Sequence, residues 1–188
     1  MIFLRDERVH LFVVCLLCLV MIAAPAKAVS RGGRAPSFTL PDIFGRPIAL
    51  SDLLRGRRAV VLALGTAWSY QFPQWMEELQ RLADRYPDGS VVVAAVFLKD
   101  KPRSVRLFVN RYGLTRSRVL LLVDSNGSLI EPFGIREIPR ILLLDGTGTI
   151  HYDGPVDKIE DSVARLLRGE AVPRRPKRPE FTKPPPPN

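Results

Sequence analysis

Cysteine is almost missing: the 188 residues hold two, Cys15 and Cys18, and none beyond. Both fall inside an uncharged apolar run, Leu11 to Ala24. That run is shorter than the roughly 20 residues a membrane-spanning helix needs. Its length suits the apolar core of a secretory signal, and Ala26-Lys27-Ala28 supplies the small-x-small cleavage pattern. Residues 1–28 are expected to be a signal peptide, with export to a bacterial periplasm; the alternative is retention as an inner-membrane anchor. Arg5 and Arg8 are offset by Asp6 and Glu7, a weak basic start for a signal. Val14 and Leu17 precede the two cysteines, so the small residue required for lipid attachment is absent. Cys15-x-x-Cys18 has redox spacing but lies in a targeting segment. A chain cut after Ala28 has no thiol: no disulfide, no thiolate nucleophile and no cysteine metal ligand.

Histidine is the second scarcity, with His10 in the leader and His151 far downstream. A metal site would need carboxylates alone, and Asp84, Asp88, Asp100, Asp124 and Asp145 sit where turns and helix ends use them. No glycine-rich phosphate loop is present, since Gly146 and Gly148 belong to a hairpin turn. No metal and no cofactor are expected. Acidic charge is also short, 19 Asp and Glu against 28 Lys and Arg, for a net +9. Arg174, Arg175, Lys177, Arg178 and Lys183 face only Glu180 in a proline-rich end closing on Pro184 to Pro187. Residues 170–188 are therefore expected to be a disordered basic tail. For an exported chain the matching partners are acidic envelope components, not nucleic acid.

What remains is strongly patterned. Residues 29–35 read as a Gly/Arg/Ser linker, and one domain follows over 36–169. Ser37–Leu40 and Pro47–Leu50 read as short strands. Ala59–Leu64, Val91–Leu98 and Val119–Val123 are apolar runs of the kind buried on both faces. Phe72, Trp75, Met76, Leu79, Leu82, Ala83 and Tyr86 recur at steps of three and four, the stripe of an amphipathic helix. A second helix starts at Pro102, with Val105, Phe108, Val109 and Tyr112 inward and Gly113 as its stop. Arg140–Leu144 and Thr149–Tyr152 flank a turn signal, and a last helix runs from about Pro155 to Arg168. Strands alternating with helices predict an α/β three-layer sandwich.

Several segments resemble the TlpA/ResA thioredoxin-like family. They are Ala35 to Asp42, Gly45 to Leu53, the strand into Ala67-Trp68, Asp124 to Gly127, Phe133-Gly134-Ile135, Ile138-Pro139 and Leu144 to Gly148. The likeness covers about residues 35–169. It implies a thioredoxin-like α/β/α sandwich with a mixed central sheet and an N-terminal β extension. It also implies thiol–disulfide chemistry in a W-C-x-x-C motif. Here Trp68 is followed by Ser69-Tyr70-Gln71-Phe72, so Ser69 and Phe72 stand at the two cysteine positions. Trp75 stands where the family often carries a carboxylate, and Pro139 corresponds to its cis-proline.

Exchange needs one thiolate to attack and another to resolve. Ser69 is too weakly acidic and Phe72 has no nucleophile. Peroxidase chemistry fails likewise: Thr66 lies three before Ser69, as in a Thr-x-x-Cys motif, but the cysteine is missing. A serine hydrolase would need a base, and the strand bearing His151 is not expected to reach Ser69, which reads as a helix cap or loop hydroxyl. No catalytic residue is therefore expected. The surviving feature is the family's peptide slot, with Trp68, Tyr70 and Trp75 at one edge and Ile138, Pro139 and Arg140 opposite. A non-catalytic protein-binding or assembly module is the expected function. The alternatives are an active oxidoreductase or peroxidase-like protein, or a subunit using a partner's thiols. Phe72 and Trp75 also fit the helix's inward stripe, so core packing competes with exposure for them.

Overall fold

The computed structural model describes residues 29–172; the expected leader and most of the basic tail lie outside them. A short antiparallel hairpin comes first, β1 (Thr39–Pro41) and β2 (Pro47–Ala49), followed by α1 (Leu50–Leu54). The main sheet holds β3 (Ala59–Gly65), β4 (Val91–Leu98), β5 (Leu120–Asp124), β6 (Arg140–Asp145) and β7 (Ile150–Gly154). Their spatial order is β5-β4-β3-β6-β7. β3, β4 and β5 run parallel to one another, while β6 and β7 are antiparallel to their neighbours. This is a mixed sheet.

The apolar runs become the central strands because both sheet faces are covered. Alternate β3 residues point to opposite sides. Ala59, Val61 and Ala63 meet α2 (Phe72–Arg85), α3 (Pro102–Arg111) and α4 (Ile159–Leu167). Val60, Leu62 and Leu64 meet α1, Leu40 of the hairpin, and Leu129 and Phe133 from the segment after β5. The thioredoxin-like sandwich is thus present, with the β1–β2 extension supplying part of its thinner layer. Most of each helical stripe lies inward as its spacing predicts, with Met76, Leu79, Leu82, Val105, Phe108, Ile159 and Val163 buried, but Tyr112, expected inward, falls just past the end of α3 and is 44% exposed. The final helix is split: Val156–Lys158 forms a 3-10 turn before α4.

Two expected boundaries move outward. Residues 29–35 are tied down. The Gly32 and Ala35 amides donate to the carbonyls of Ile150 and Gly148 at 2.8 and 2.9 Å, and Ile150 N–H donates to Gly33. At the other end Val172 is buried, and its carbonyl accepts from Arg31. Backbone pairing to the sheet edge is insensitive to side-chain type, so a glycine-rich composition did not reveal it.

The β6–β7 turn carries a pH-sensitive group. Burial disfavours the Asp145 carboxylate, but bonds from Thr147, His151 and Thr149 outweigh it and hold the pKa at about 2, against 3.8 unperturbed. Because folding lowers this pKa, its stabilisation is complete above pH 4 and is lost as pH falls toward 2. The size is on the order of 2 kcal/mol. In urea unfolding, Asp145→Asn should cost most of that at pH 6 and almost nothing at pH 2.

Candidate functional site

The site lies where the C-terminal end of β3 passes into α2. The inner face of β3 tapers, Ala59, Val61, Ala63 and then Gly65, and the space left at the end admits Phe72. A Cβ on Gly65 would lie 2.4 Å from the Phe72 ring. Phe72 has no exposed surface, packs edge-on to Phe97 at 5.4 Å and lies 6.1 Å from Phe108. The position aligned with the family's second cysteine is thus an aromatic core.

Ser69 is a loop residue and caps nothing. Its N–H donates to the Thr66 carbonyl at 3.2 Å, and the residue before α2 is Gln71, with no side-chain cap. Pro73 makes a side-chain cap less necessary by removing one of the unpaired amides of the first turn. His151 bonds Asp145 at 2.8 Å within the β6–β7 turn. No hydrolytic pair is assembled.

Asp100, at the exit of β4, anchors the loop from the other side. It is 6% exposed and accepts the Ala67 N–H at 2.6 Å. Burial raises its pKa, and the bond from Ala67 opposes that rise only in part. The other aspartates do the local work their spacing suggests: Asp124 accepts from the amides of Ser128 and Leu129, and Asp88 from Ser90.

Opposite the loop, the Ile138–Pro139 peptide is cis. Two depressions flank this segment and share Arg136, Glu137 and Ile138 as their common wall. The larger, about 570 Å³, brings Gln71 and Trp75 against Ile138, Pro139 and Arg140. The smaller, about 220 Å³, brings Trp68 and Thr66 against Ile138. Of the six residues expected at the slot, five therefore converge. Tyr70 lines neither depression; it projects beside them, 87% exposed, as Trp68 does at 75%. Trp75 is intermediate, packing on the core with one side and lining the larger depression with the other.

Arg140 takes a role its sequence position did not reveal. Its guanidinium grips both Asp153 oxygens at 2.8 and 2.7 Å, and donates to the carbonyls of Phe133 and Gly134 at 3.0 and 3.3 Å. It locks the segment before Pro139 to β6 and β7, with most of its hydrogen-bonding capacity spent inside the chain. Thr66, Lys99 and Arg136 also line the site, though neither composition nor periodicity marks Lys99 or Arg136. No group of three or more potential metal ligands occurs among the described residues. Nor is any helix there long and apolar enough to cross a membrane.

Similarity to known proteins agrees with this geometry. The thiol-disulfide oxidoreductase ResA of Halalkalibacterium halodurans is 27% identical over 149 residues, covering 77% of this chain and 82% of that protein. ResA of Bacillus anthracis is 28% identical over 127 residues, covering 68% and 70%. Among solved structures, a Sinorhizobium meliloti protein superposes with a TM-score of 0.66 at 21% identity, over 78% of this chain and 89% of that one. The thioredoxin domain of a Bacteroides vulgatus thiol-disulfide oxidoreductase gives 0.65 at 17% identity, over 74% and 99%; these two likenesses speak for the fold. Residues 32–153 match the AhpC/TSA family, and the chain belongs to it.

Proposed function

We propose that this domain is a non-catalytic binding module that holds a segment of a partner protein against the Ile138–Pro139 loop. The reading rests above all on one observation: Ser69 and the fully buried Phe72 occupy the two thiol positions. Next to them Trp68 and Tyr70 stay in solvent, and large exposed aromatics beside a concave surface commonly anchor protein partners. An exported location follows from the pattern of residues 1–28, and a tethering role for the basic tail from its charge. The oxidoreductase names of the relatives favour a second reading, a redox-complex subunit in which a partner supplies the thiols.

The test is quantitative partner recovery by crosslinking in the exporting cell. The chain should be compared with Trp68→Ala/Tyr70→Ala and with a truncation after Val172, which is buried and bonded to Arg31. Losing both aromatics should reduce recovery about tenfold or more, the scale of hot-spot truncation. Unchanged recovery would remove the proposal's basis. A captured partner carrying a redox-active cysteine pair would favour the second reading.

A further inference from the structure

We infer that the smaller depression selects an acidic partner segment, seating one apolar side chain while Lys99 and Arg136 receive carboxylates beside it. This rests on the binding reading above and names its partner class. The floor and walls are apolar, formed by Trp68, Leu98, Ile130, Ile135 and Ile138. Its volume, about 220 Å³, accommodates one large side chain with the backbone that bears it.

Thr66 is the one hydroxyl-bearing residue on this lining. Thr66 is 3% exposed, and its Oγ1 has no hydrogen-bond partner among the described residues.

The charge at the rim has one dominant sign. Lys99 and Arg136 make no ion pair among the described residues, and the single carboxylate on the lining, Glu137, is already engaged in an interaction. Asp100, beside Lys99 in sequence, is turned inward onto the Ala67 amide. Lys99 is also the one non-glycine residue in the described region with a positive φ, 54°. Its stem runs across Gly127, where a Cβ would lie 2.8 Å from Lys99 Cε. Strain of this kind persists where surroundings enforce it, often at binding sites. Beyond Lys99, the exposed Lys101 and Arg103 continue the basic surface into α3, whose first turn has no acidic residue. The basic end of the chain carries five cations against one acid and is repelled by such a rim, as is a second copy of a protein with net charge +9. An acidic segment from another protein has the complementary sign.

The full chain can be titrated with capped hexapeptides holding one leucine among aspartates, serines or lysines. Trp68, the more exposed of the two tryptophans, serves as the fluorescent reporter. The aspartate peptide should bind about tenfold more tightly than the serine peptide, with the gap narrowing at high salt. Lys99→Glu/Arg136→Glu should reverse the preference in favour of lysine. Equal binding of the serine or lysine peptide would overturn the acidic preference while leaving the binding module intact. A short oligonucleotide of matching charge that binds as well would overturn the peptide assignment. If no ligand of any charge perturbs Trp68, this inference falls. If partner recovery in cells is also insensitive to Trp68 and Tyr70, the binding reading falls with it.

Discussion

Phe72→Ala should lower the unfolding free energy by roughly 3–5 kcal/mol, the cost of deleting a buried aromatic. The effect should appear as a lower urea midpoint at unchanged slope. At the aligned position a cysteine would be a small side chain at the helix start; here the residue is a structural keystone shared by β3, α2 and α3. Its dependence on Gly65 supplies an internal control. Gly65→Ala alone forces a methyl into the Phe72 ring, 2.4 Å away, and should cost roughly 1–3 kcal/mol by overpacking. In the Phe72→Ala background the same methyl enters vacated space and should be neutral or stabilising. The resulting coupling should exceed about 1 kcal/mol, as for residues in direct contact. Additive effects would show that the ring and the glycine are energetically independent, contrary to the packing described.

Arg140→Met should be the second large effect. It preserves much of the buried stem but abandons the Asp153 carboxylate and the carbonyls of Phe133 and Gly134. With the Arg140 side chain 15% exposed and Asp153 30% exposed, breaking the pair should cost about 2–4 kcal/mol, toward the lower part of the range for buried pairs. The loss should also loosen the segment before Pro139, read as faster amide exchange over residues 133–138 than in wild type. A pairwise replacement, Arg140→Met/Asp153→Leu, leaves no unpaired charge and should recover part of the loss. If Arg140→Met alone costs under about 0.5 kcal/mol, the range of ordinary surface changes, the guanidinium is no lock.

The architecture was legible because its signals are local. Ala59–Gly65 and Val91–Leu98 are too uniformly apolar to be anything but doubly covered strands, and the α2 stripe leaves one face for the core. Ser69 and Phe72 were legible as absences of sulfur, since alignment with Trp68 alone places them. The structural roles of Arg140 and Asp100 were not. Each depends on contacts across the fold: Arg140 with Asp153 across the β6–β7 ladder, Asp100 with Ala67 across the end of the sheet. The docking of residues 29–35 was hidden for a related reason, since backbone hydrogen bonds leave no mark on composition. Arg140, expected at the slot edge, spends most of its hydrogen-bonding capacity on Asp153 and on the carbonyls of Phe133 and Gly134.

Thiol-dependent reduction of insulin tests the central claim most directly. The chain should be measured with Cys15→Ser/Cys18→Ser, so that only the domain is tested, and again with Ser69→Cys/Phe72→Cys added. The first protein should not exceed the rate of dithiothreitol alone, while the second should accelerate the reaction despite its weakened core. Turnover by the cysteine-free chain, abolished by Ser69→Ala, would contradict a site that binds without transferring electrons.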